Sequence, residues 1–123
     1  TAAEAAWRSA EGRPNAWELA LHAAYWKYAV RRKLTGEKRG SFALAGSNWF
    51  RRPAGDPDET AWKADLTLLG AEHRALVSAV AERLPALSGA TRTKALHLVR
   101  GVAAHDLYHA GQVQLLKRLR PKG

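Results

Sequence analysis

Apolar and aromatic residues recur at positions 17, 21, 24/25 and 28, the three-and-four spacing of one helix face. Asn15 stands just before this run and Glu18 three residues later, a capping-box signature for the helix start. Thr35-Gly36 supplies the stop, so the spacing predicts a helix from about Asn15 to about Leu34. A second stripe, Leu66, Leu69, Leu76, Val77, Val80 and Leu84, follows "DPDETAW". There Asp56 is the expected cap, Pro57 suits the first helical position, and Glu59 sits three past the cap. Pro85 and "SGA" at 88–90 end that helix. A third run, from about Thr91 to Leu119, turns Leu96, Val99, Val102, Ala103, Leu107, Ala110, Val113 and Leu116 or Leu119 inward. Upstream, Thr1 and Glu4 in "TAAEAAW" frame a short helix that "GRP" at 12–14 breaks. Pro121 and Gly123 close the chain.

Residues 36 to 57 hold four glycines and two prolines and show no sustained period. They read as a long loop, and long loops in small domains tend to carry function. No strand pattern competes. The expected fold is all-α: one domain over residues 1–123, an up-and-down bundle of three long helices and a short N-terminal one. Three long helices make a thin bundle, so a fourth is expected from an N-terminal segment or from a partner chain.

Composition narrows the chemistry. With no cysteine, disulfides and thiolate metal sites are excluded, and a metal must be held by His, Asp or Glu. A cytoplasmic protein fits the same absence. No apolar run has the length of a membrane span, and no signal peptide is evident at the start. The net charge of +9 suits nucleic acid or an anionic small molecule. The basic residues are spread along the chain, however, and "RRK" at 31–33 and "KRLRPK" at 117–122 sit where cations complement helix C-termini, so nucleic acid is the less favoured partner.

The chemistry concentrates in "GVAAHDLYHAGQ", residues 101 to 112. His105 and His109, four apart, share a helix face, and Gln112 continues it. Gly101 leaves the preceding turn uncrowded. Two such imidazoles serve either as metal ligands or as polar residues satisfied by backbone and water. A third ligand would decide, and His22, mid-helix in an aromatic and apolar stretch, is the candidate. Three neutral imidazoles would leave coordination positions open, the arrangement of a reactive site. His73 and His97 read as surface or boundary residues. "HDLYH" matches the zincin spacing with Asp in place of Glu, but the shorter acid and the missing third ligand argue against a peptidase. A di-iron bundle fails for want of inward carboxylates.

"WELALHAAYWKYAVRRKLTG" followed by "HDLYHAGQVQLLKRL" resembles the DinB/YfiT-like family of metal-binding four-helix bundles, with the similarity starting at "TAAEAAWR". The resemblance implies a divalent metal, zinc or nickel first and iron after them, on His22, His105 and His109. It also implies a small-molecule substrate, a homodimer, and activity as a metal-dependent hydrolase or a transferase using a low-molecular-weight thiol. Family members usually carry a long helix ahead of the first segment seen here. Asp106, Tyr108 and Gln112 are the candidates for contacts around the metal or substrate. Tyr25, Trp26, Asn48, Trp49 and Arg51 are candidates for lining or closing a pocket. The rival expectation is a non-catalytic stress-response or basic nucleic-acid-binding module.

Overall fold

The computed structural model describes residues 1–122; Gly123, the expected chain closer, lies outside the described residues. Four α-helices follow in order: α1 (Ala2–Ala6), α2 (Ala16–Thr35), α3 (Glu59–Arg83) and α4 (Gly89–Leu119), with a 3₁₀ turn, Leu84–Ala86, before the last. Among the described residues there is no strand, and the all-α bundle expected from the sequence is present.

Local chemistry sets most of the ends. Asn15 accepts from the Glu18 backbone N–H while Glu18 reaches back to the Asn15 N–H, a complete capping box. Gly36 ends α2 in the left-handed conformation (φ 78°), which its missing Cβ makes cheap. The start of α3 departs from expectation. Asp58, not Asp56, is the cap, its carboxylate accepting from Thr60 N–H while its own backbone remains extended. Helix α4 begins at Gly89, two residues earlier than the pattern suggested.

Helix α2 is the centre of the bundle and packs on both α3 and α4. One apolar cluster gathers Trp17 and Leu21 of α2, Ala2 and Ala5 of α1, and Phe50 of the long loop. A second joins Val30, Leu76 and Val102, with Leu34, Val80 and Leu98 packed against it. The faces of α3 and α4 are rotated from those expected. Leu66 and Val77 are exposed, and Asp65, Glu72, Leu76 and Ala79 are buried instead. On α4, Ala103, Leu107, Ala110 and Leu119 are exposed. The inward stripe runs through Ala95, Val102 and His109, with His105, Asp106 and Gln112 half-buried along it. The histidines therefore lie on the buried face of α4. No described helix is long and apolar enough to cross a membrane.

The long loop is tied down at its far end. Glu18 accepts from the Arg52 backbone N–H at 3.1 Å and from the Arg8 guanidinium at 2.6 Å. Asp65 accepts from Arg52 Nε (2.8 Å) and from the Trp17 indole (2.7 Å). With Phe50 sunk into the core, these bonds fix the approach of Asn48 and Trp49 to α2.

Candidate metal centre

His22 projects from α2, and His105 and His109 project from successive turns of α4. His105 Nε2 lies 3.0 Å from His22 Nε2 and 2.9 Å from His109 Nε2. One ligand atom from each of the three falls within 4.8 Å of the others. His22 and His109 are buried and His105 is half-buried.

The outer nitrogens of two rings are committed. His22 Nδ1 donates to the Asn48 carbonyl at 3.0 Å, which puts its proton on that nitrogen. His109 Nδ1 donates to Gln112 Oε1 at 2.5 Å. With the proton on Nδ1, each of these rings can turn an Nε2 lone pair inward, the tautomer a metal ligand requires. His105 Nδ1 is buried with no hydrogen-bond partner in the protein.

This arrangement tests whether a cation fits. A ring nitrogen has one in-plane direction, holding either a proton or a lone pair. His105 Nε2 faces two nitrogens at hydrogen-bond distance, so one proton cannot satisfy both contacts. Three imidazole nitrogens gathered within 4.8 Å of one another could hold a cation at the ordinary ligand distance of about 2.0–2.1 Å. Three neutral imidazoles suit zinc, nickel and iron alike. Protonation works in the same direction. Burial pushes the pKa of His22 below the ordinary histidine value, against the opposing bond to Asn48 and with help from His109. Burial also lowers that of His105, and His109 and His22 add to the effect. Both shifts favour the neutral imidazole.

Each other candidate has a definite place. Trp49 stacks flat on His22, centroids 3.8 Å apart and planes 6° apart. Asn48 takes a left-handed φ of 69° to present its carbonyl to His22, and its side-chain oxygen accepts from the Trp26 indole at 2.8 Å. Gln112 holds His109. Asp106 turns from the triad and pairs with Lys27 of α2. Tyr108 is exposed, with its ring edge-on to His109 at 5.1 Å. Tyr25 packs among Phe42, Phe50 and Tyr28, a core role in place of the pocket role expected for it. Arg51 is exposed, and its one hydrogen bond among the described residues is accepted by its carbonyl from Arg52. Lys27 was missed in the sequence, although a single lysine between Trp26 and Tyr28 was a visible anomaly.

The triad separates two cavities. One of about 860 Å³ reaches His109, Asp106 and Lys27 between α2, α3 and α4. The other, of about 400 Å³, reaches His22 and His105 between α2 and α4.

A sequence model of the DinB superfamily matches residues 1–113. This chain belongs to the DinB superfamily. No curated protein matches it, and no solved structure does. For this DinB-superfamily chain, membership and the three-histidine cluster are together compatible with metal binding.

Proposed function

We propose that this chain is a metal-dependent enzyme whose divalent ion, zinc or nickel before iron, is held by His22, His105 and His109. The observation that carries the reading is the pair of short contacts at His105 Nε2, 2.9 and 3.0 Å, which a cation resolves and a proton does not. Support also comes from the locked tautomers of His22 and His109 and from the cavities beside the triad. A divalent ion on three neutral imidazoles retains its full charge and supplies Lewis acidity, activating a water or thiol and polarising an electrophile. The protein's own groups hold the site. Asn48 and Gln112 fix ring orientation, Trp49 covers one face of His22, and Lys27 and Asp106 tie α4 to α2. The reaction class that suits this arrangement is hydrolysis, or group transfer to a low-molecular-weight thiol, on a small molecule.

The test is Co²⁺ titration and elemental analysis of wild type, His22→Ala and Gln112→Leu. Wild type should take up one ion per chain. Gln112→Leu should weaken binding by roughly ten- to a hundredfold, the usual effect of losing a ligand's supporting hydrogen bond. His22→Ala should weaken it more. Unchanged metal content in His22→Ala would sink the three-histidine site. A metal-loaded protein inert across thiol–electrophile and ester panels would sink the catalytic half.

A further inference from the structure

We propose that the smaller cavity is the substrate pocket and that it takes an elongated organic anion, its apolar body beside Gly101 and its anionic group at Lys33 and His97. The proposal rests on the metal-centre reading for its reactive end. At about 400 Å³ the cavity is of small-molecule size. His22 and His105 line it, and so do Lys33 and His97.

The helices set the distance between these pairs. Helices α2 and α4 run antiparallel, since His22 meets His105 while Val30 clusters with Val102 and Leu34 with Leu98. Lys33 comes eleven residues after His22, and His97 eight residues before His105. At 1.5 Å per residue both stand roughly 12–17 Å along the helices from the triad, at the same end. The ligand that spans this pocket is therefore long.

Charge selects its sign. No carboxylate lines the pocket. Among the described residues Lys33 makes no ion pair. His97 offers an N–H donor in either protonation state. The larger cavity differs in sign, because two carboxylates, Glu4 and Asp106, line it and pair with Arg120 and Lys27, although Lys117 there makes no ion pair among the described residues.

Gly101 supports the same reading. Glycine weakens a helix interior. Here no left-handed backbone requires it, and a Cβ would meet nothing within 4 Å. Packing therefore gives no reason for a glycine, whereas a side chain at this position would enter the cavity that leads to His105.

Calorimetry with octanoate and 1-octanol, on the protein as purified, tests the proposal. Lys33 and His97 are exposed, so octanoate should bind wild type about two- to fivefold more tightly than octanol, the usual effect of a surface ion pair. Lys33→Gln should abolish that preference. Gly101→Leu should weaken both ligands at least tenfold without lowering the melting temperature, because leucine is the better helix former. Gly111→Leu, the same change at another open glycine outside this cavity, should leave binding as in wild type. Octanoate binding no better than octanol, a preference surviving Lys33→Gln, or the two glycine variants behaving alike would each overturn the proposal. Co²⁺ titration of the same samples keeps the readings apart: Gly101→Leu should retain the ion, and a wild type without Co²⁺ affinity would count against the metal centre alone.

Discussion

Helices α2 and α4 carry the three histidines between them, yet they are built differently. The 20 residues of α2 include ten that are buried, among them Glu18, His22 and Lys27. The 31 residues of α4 include three, Ala95, Val102 and His109. Helix α2 is enclosed by neighbours, while α4 leaves Leu107, Tyr108, Leu115 and Leu119 exposed. Burial here follows a helix's place in the bundle more than its hydropathy. Polar groups on α2 are buried because each has a partner. The site inherits the asymmetry. His22 stands on a helix fixed from several sides, whereas His105 and His109 ride on one whose register depends on its contacts with α2.

The largest effect should come from breaking the enclosed helix. Leu21 is fully buried, and Leu21→Ala should cost about 2–5 kcal/mol in urea unfolding. Leu107 is 76 % exposed, and Leu107→Ala should change stability by about 0.5 kcal/mol or less. Similar costs for the two would mean that the outer face of α4 is covered in solution, and the contrast between the helices would fall.

The same contrast explains what could be read in the sequence. The helices were legible because periodicity and caps are local: Asn15 with Glu18 and Gly36 act as their chemistry dictates. Asp56 and Asp58 both offer caps two residues apart, and the local signals of Pro57 and Glu59 favour Asp56, yet Asp58 is the one used. Which face of α4 turns inward was not legible. Leu107 and Leu119 have the hydropathy of core residues, but the neighbour that decides their exposure lies elsewhere in the chain. The histidine pair was visible by spacing. Its union with His22 follows from tertiary packing, and so does the Lys27–Asp106 pair, whose members stand 79 residues apart.

That pair is the second way to test the comparison. Lys27 is 5 % exposed and bonded to Asp106, the only acid on α4. Lys27→Met leaves the carboxylate without its cation, and Asp106 Oδ1 already has no hydrogen-bond partner. Removing one member of a buried pair costs about 3–5 kcal/mol, but the Asp106 side chain is one third exposed, so about 1–3 kcal/mol is expected. Co²⁺ affinity should fall with it as α4 loses register. Adding Asp106→Leu should recover stability. If Lys27→Met lowered stability while Co²⁺ binding stayed intact, the pair would be holding the fold without positioning the histidines.

The smallest effect concerns acid, and it arises on the α2 side. Burial alone would raise the Glu18 carboxyl, but bonds from Arg8, Arg52 N–H and Asn15 N–H outweigh it and hold the pKa below the usual carboxylate value. A depressed folded-state pKa means that the unfolded chain binds the proton more readily. The contribution of Glu18 is therefore complete above the unfolded-state value, about 4.3, and is lost as pH falls through the lower folded-state value. Glu18→Gln should cost roughly 1 kcal/mol at neutral pH and flatten the acid limb of the stability profile. Since Glu18 also anchors Arg52 at the end of the loop bearing Asn48 and Trp49, acid should release that loop from His22. Trp49 stacks on His22, so the fluorescence difference between wild type and Trp49→Phe, followed from pH 7 to 3 beside urea unfolding, reports both events. An acid limb of equal steepness in Glu18→Gln would place the sensitivity elsewhere.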